Sequence, residues 1–243
     1  MIQDGLKKVQ LLDSVLMIGQ SNMAGRGDFG QVRPIRNPLC YMLRMGRWQP
    51  MCEPVNPDRA IFDGKFRSGI SLAASFADSY ARCYERPIGL IPCADGGTKL
   101  EQWMPGQILY DHAVLQTKLA MRTSDLKAIL WHQGESDCQC DDDVQTYAVR
   151  FREMITHLRS DLGMQDLPLV IGQIPHAIGE SWKTEGRETR LNEILQQLAR
   201  EIPSCAIASS AGLTLKPDGV HFDSVSCREL GNRYFAAYQA LTK

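Results

Sequence analysis

Four short stretches of this chain carry side chains suited to acyl transfer. The first is Gly19-Gln20-Ser21-Asn22-Met23-Ala24-Gly25, in which Ser21 follows an apolar run. A serine hydroxyl attacks an ester only when a base takes its proton and donors receive the oxyanion; a plainer role for Ser21 is capping a helix N-terminus. The stretch is not the G-x-S-x-G elbow, because Met23 stands where the second glycine belongs. The second is Asp218-Gly219-Val220-His221. A carboxylate three residues before an imidazole can bond one ring nitrogen and leave the other free as a base, although Asp-Gly also makes an ordinary turn. In the third, Trp131-His132-Gln133-Gly134-Glu135-Ser136-Asp137, the Gln133 carboxamide can aim N–H at a developing oxyanion, and His132 reads as a core histidine. In the fourth, Asp95-Gly96-Gly97-Thr98, the paired glycines either bring a backbone N–H close to a ligand or form only a turn.

Other candidate chemistries fail on context. Gly25-Arg26-Gly27-Asp28-Phe29-Gly30 spells G-x-G-x-x-G, but it does not turn directly from strand to helix, and Pro34 and Pro38 follow it. No glycine loop ends in Gly-Lys-Ser/Thr. The eight cysteines include a C-x-C at Cys138 and Cys140, without the second pair a zinc ribbon needs. In a chain of 243 residues they read as reduced thiols, with Cys93 and Cys205 as small buried hydrophobes. Neither a metal nor a cofactor is expected. Asp141-Asp142-Asp143 reads as charge complementing a helix N-terminus.

The elements that must position these groups follow from hydrophobic patterning. Continuous apolar runs at Val15–Gly19, Ile88–Cys93, Ala128–His132, Leu169–Ile174 and Cys205–Ser209 predict strands covered on both faces. Apolar spacing of three and four predicts helices over Ser71–Tyr84, Tyr110–Met121, Val144–Leu162, Glu188–Arg200 and Ser226–Leu241. The alternation predicts right-handed crossovers and one parallel sheet between helical layers, a single domain over residues 1–243. Gln31–Lys65 is expected to be an irregular surface excursion. In such a sheet ligands bind beyond the carboxyl ends of the strands, where all four stretches fall.

Composition narrows the function. Twenty-seven Lys and Arg against 28 Asp and Glu leave a net charge of −1 and no basic stripe, which argues against a nucleic-acid partner. No apolar run reaches the roughly 18–20 residues of a membrane span, and none resembles a signal-peptide core; no membrane partner and a cytoplasmic location are expected.

Together, in this order, the stretches resemble the SGNH hydrolase superfamily, and within it the carbohydrate-esterase branch of sialate O-acetylesterases and acetylxylan esterases. The matching blocks span Gly19 to Phe222. The resemblance implies a flavodoxin-like three-layer α/β/α sandwich, expected to have a five-stranded parallel sheet. It implies Ser21 as nucleophile, His221 as base and then acid, and Asp218 as its orienter. It further implies an oxyanion hole from the Ser21 N–H, a Gly96 or Gly97 N–H and the Gln133 side chain, supported by Gln20, Asn22 and Glu135. Glutamine at the third-block donor position is typical of this branch. The expected activity is removal of acetyl groups from sugar hydroxyls. The alternatives are a non-catalytic carbohydrate-binding module on the same fold, or acyl transfer to a second sugar. Trp103 and Trp182 are expected either as sugar-stacking platforms or as partly buried core. The identity of the sugar and the oligomeric state stay open.

Overall fold

In chain order the elements are β1 (Leu12–Gly19), α1 (Ser21–Ala24), β2 (Cys40–Arg44), β3 (Arg47–Pro50), α2 (Leu72–Tyr84), β4 (Ile88–Pro92), α3 (Ile108–Ala120), β5 (Ser124–His132), α4 (Asp141–Asp161), β6 (Leu169–Gly172), α5 (Ile178–Trp182), α6 (Arg187–Glu201), β7 (Cys205–Ala208) and α7 (Ser224–Leu241). The computed structural model describes residues 12–57 and 67–243. The expected domain bounds and the end of the Gln31–Lys65 segment therefore fall partly outside the described residues.

The sheet order is β3-β2-β4-β1-β5-β6-β7, with every neighbouring pair parallel except β2–β3. All five expected strands are present, and among themselves they follow the 2-1-3-4-5 order of flavodoxin-like sheets. Their alternate residues separate onto two faces. Leu16, Ile18, Ile91, Ile129 and Trp131 share one buried cluster with residues of α3, α4 and α6. Val15, Met17, Leu90, Ala128 and Leu130 share the other with α2 and α7. Each fully buried aliphatic side chain contributes roughly 1.5–3 kcal/mol, and because both faces are covered a register slip would gain nothing.

The sheet has seven strands, not the expected five. The addition is the β2–β3 hairpin, inside the segment expected to be irregular. Its two-residue turn places Met45 at φ 53° and Gly46 at φ 72°. Two positive values suit a type I′ turn, whose usual first residue is Asn, Asp or Gly; methionine there hides the turn. Helix ends agree with the sequence to within a few residues. Ser71 caps α2 by accepting from Ala73 N–H, and Asp141, Asp142 and Asp143 occupy the first turn of α4. All eight cysteines are free, with Cys93 and Cys205 buried. Among the described residues no helix is long and apolar enough to cross a membrane.

Candidate active site

Gly19 closes β1 at φ 133°, and a Cβ there would collide with the His132 carbonyl oxygen, so only glycine lets β1 and β5 end this close. Gln20 N–H donates to that carbonyl at 2.9 Å. This is the switch point of the sheet, where β1 lies between β4 and β5. The chain then turns at once into α1 with Gln20 as N-cap, so Ser21 is the first helical residue rather than the cap. Its hydroxyl makes a different bond. Ser21 Oγ lies 2.9 Å from His221 Nε2.

His221 and Asp218 stand on the loop between β7 and α7. His221 Nδ1 is 2.8 Å from Asp218 Oδ2, while Asp218 Oδ1 accepts from the Val220 and His221 amides at 3.0 and 2.9 Å. Partial burial works to raise the Asp218 carboxyl, but these bonds outweigh it and hold it below the usual carboxylate range. An ionised Asp218 accepts only, so Nδ1 carries the ring hydrogen and the Nε2 lone pair faces the serine. Burial lowers His221 below its ordinary value; Asp218 opposes this, and the charges of Arg26 and Lys216 add to it. α5 backs the loop, with Ser181 packed so tightly on Gly219 that a Cβ there would collide with it.

Gly96 lies against the serine, since a Cβ on it would come within 3.5 Å of Ser21 Cβ and would collide with the Arg26 guanidinium. A Cβ on Gly97 would meet nothing within 4 Å. As the first residue of α1, Ser21 has no intrahelical acceptor for its N–H. Arg26 was invisible as a site residue in the sequence; its one signal is a place five residues after the serine, in the same glycine-rich turn.

Gln133 departs from expectation. Its side chain is fully buried, and Nε2 lies 2.9 Å from Thr98 O, 2.6 Å from Asp137 Oδ2 and 3.3 Å from Gln20 Oε1. Its Oε1 accepts from the Tyr147 hydroxyl at 3.0 Å. Two amide hydrogens facing three acceptors leave none for an oxyanion. The carboxamide is a brace between the Thr98 turn and Asp137. Gln20 joins the brace, with Oε1 accepting from the Gly134 and Ser136 amides at 3.4 and 3.3 Å. Trp103 is not a platform either: it is 1% exposed, stands edge-on to Trp131 at 5.7 Å, and donates from Nε1 to Thr98 Oγ1 at 3.0 Å. It steadies the turn that carries Gly96. Trp182 is half-buried at the end of α5.

Glu135 and Asn22 meet behind the serine, with Asn22 Nδ2 donating to Glu135 Oε1 at 2.6 Å. Burial pushes Glu135 up to about 7 and Asp137 up to about 6, and it holds His132 down to about 3. His132 is thus the expected core histidine, neutral, with Nδ1 2.9 Å from Tyr234 Oη. Among the described residues no group of three or more His, Cys, Asp or Glu is placed to hold a metal ion.

Comparison with known proteins adds to this geometry. Residues 12–240 match a family model described as carbohydrate esterase, sialic acid-specific acetylesterase. A probable carbohydrate esterase of Arabidopsis thaliana is 31% identical over 242 residues, covering 92% of this chain and 88% of that one. A solved structure of an Arabidopsis thaliana protein superposes with a TM-score of 0.84 at 27% identity, covering 95% of this chain and 98% of that one. NanS superposes with a TM-score of 0.77 at 15% identity over 96% and 98% of the two chains. A carbohydrate acetylesterase of Xanthomonas citri gives 0.68 at 20% identity, over 94% of this chain and 56% of the other. The last two likenesses speak for the SGNH-type fold alone. The family match takes in nearly all the described residues, so this chain belongs to the carbohydrate esterases described as sialic acid-specific acetylesterases, and is a carboxylic ester hydrolase.

Proposed function

We propose that this esterase removes acetyl groups from sugar hydroxyls through Ser21, His221 and Asp218. One observation carries the reading: the continuous chain from Ser21 Oγ to His221 Nε2 at 2.9 Å and from His221 Nδ1 to Asp218 at 2.8 Å. Ser21 Oγ attacks the acetyl carbonyl carbon while its proton passes to Nε2. The carbonyl pair moves onto oxygen, and the Ser21 and Gly96 N–H groups receive that charge, with Arg26 adding positive potential beside Gly96. Collapse breaks the bond to the sugar oxygen, which takes the proton from Nε2 and leaves as an alcohol. Water then gives its proton to Nε2 and attacks the acetyl-serine, releasing acetate and restoring Ser21. Asp218 stays ionised throughout and stabilises the imidazolium.

The family description favours acetylated sialic acids over acetylated xylan as substrate, and half-buried Trp182, next to the Ser181 that packs on Gly219 of the His221 loop, is the candidate to stack on a sugar. The complete hydroxyl–imidazole–carboxylate chain favours turnover over a binding-only module. Purified Ser21→Ala, with an unchanged circular dichroism spectrum, is expected to release no acetate from O-acetylated sialic acids or acetylated xylo-oligosaccharides that the unmodified enzyme cleaves. Full activity in that variant would end the proposal. Product analysis with an acceptor sugar present separates hydrolysis from transfer.

A further inference from the structure

A single side chain holds both neighbours of His221. Asn22, next to the serine on α1, donates from Nδ2 to Val220 O at 3.1 Å and accepts at Oδ1 from Phe222 N–H at 3.1 Å. The second Nδ2 hydrogen goes to Glu135 Oε1, 2.6 Å away. Asn22, Glu135, Val220 and Phe222 are all buried. Every hydrogen-bonding group of the carboxamide is therefore engaged. Two of its bonds pin the peptide links that flank the imidazole, and the third fixes its plane from behind.

What stands behind Glu135 shows the kind of group this position needs. His132 Nε2 lies 3.6 Å from Glu135 Oε1. The Tyr234 hydroxyl donates to Trp131 O at 2.7 Å, so it can only accept from His132 Nδ1, and Nδ1 carries the hydrogen. Nε2 is then a bare acceptor, without a hydrogen-bond partner among the described residues. Burial keeps His132 neutral, and Asp137, Cys138, Tyr147 and Tyr234, which act on Glu135 or which it acts on, are acids rather than cations. Beside these groups, with His132 neutral, a charge on Glu135 would meet no counter-charge, whereas its Oε1 accepts from Asn22 in either protonation state.

We propose that Glu135 is a positioning residue: by accepting from Asn22 it holds Val220 and Phe222, and through them the His221 ring, in line with Ser21, acting as an acceptor and not as a charge. The inference rests on the reading of His221 as the base.

The test uses Glu135→Gln, Glu135→Ala, Asn22→Ala and the double alanine variant. Readouts are p-nitrophenyl acetate kinetics, the rate of fluorophosphonate labelling at Ser21, and the NMR signal of the His221 Nδ1 proton. Each single alanine variant is expected to slow labelling and kcat by about 10- to 100-fold, the scale of a displaced reacting group, with KM little changed. The double variant should be no slower than the slower single, because both changes break one linkage. Glu135→Gln should stay within about 3-fold of the parent, since the glutamine carbonyl keeps the acceptor that Asn22 uses and its N–H₂ takes the place of Oε2, which no hydrogen bond holds among the described residues. Parental rates in a folded Glu135→Ala or Asn22→Ala, multiplying effects in the double variant, or a glutamine variant as slow as alanine would each overturn the proposal. If Glu135→Ala does not fold, Asn22→Ala and Glu135→Gln decide alone: slow with near-parental supports it, any other pairing overturns it. The NMR readout needs no turnover. A parent without esterase activity would refute the proposed function, whereas a His221 signal unchanged by both alanine substitutions would refute the positioning role.

Discussion

In the proposed mechanism the imidazole of His221 can accept the Ser21 proton only while it is neutral. Burial lowers its proton affinity, Asp218 resists without prevailing, and the Arg26 and Lys216 charges push the same way as burial. Proton uptake is therefore displaced below the ordinary imidazole value of 6.5. The acid limb of kcat/KM, which reports the free enzyme, is expected to fall with its midpoint below about 6.5. A pH–rate series from pH 4 to 8 checks this, and a midpoint at or above the ordinary value would contradict it. At this scale the sequence was informative where a residue's place along the chain decides its surroundings. Ser21 and the Asp218–His221 turn each follow a strand, and that fixes the sheet edge on which they lie. Gln133 and Trp103 follow the same rule and still turn inward. Their directions are decided by Thr98, Asp137 and Tyr147, partners that no local pattern announces.

Among the elements, α7 depends on an unusually close approach to α2. A Cβ on Gly231 would collide with the Leu72 carbonyl oxygen and the Ser75 hydroxyl. Backbone cannot yield as a side-chain tip does, so the gain of up to about 1 kcal/mol in helix propensity from glycine to alanine should be outweighed by overpacking of about 1–3 kcal/mol. Gly231→Ala is thus expected to lower the urea midpoint with an unchanged m-value, and a midpoint at or above the parent's would refute the close-packing account. The long helices were legible because each presents an apolar stripe long enough to show its period. The β2–β3 hairpin was not. Its strands are short, Arg44 and Arg47 interrupt the apolar pattern, and Met45 gives no sign of the left-handed turn it makes. α1 and α5 span too few residues to show any period.

For the whole molecule, buried ionisable groups set opposing slopes of stability against pH. Glu135, raised from 4.5 to about 7, and Asp137, raised from 3.8 to about 6, keep protons in the native state that the unfolded chain releases. Their contribution to stability falls as pH rises through those windows. His132, lowered from 6.5 to about 3, refuses a proton that the unfolded chain takes, so its contribution falls as pH drops below 6.5. Glu135→Gln removes the first of these terms. The melting temperature of this variant minus that of the parent is expected to grow between pH 4.5 and 7.5; a difference that stays flat or shrinks would show that Glu135 is not held protonated by the fold.

The serine follows the first strand of the sheet, and the imidazole proposed to take its proton comes after the last, 200 positions later along the chain. During synthesis, a polypeptide that does not yet extend to Asp218 and His221 holds the hydroxyl without the carboxylate and imidazole that the proposed mechanism needs. On that mechanism such unfinished products would be inert toward acetyl esters.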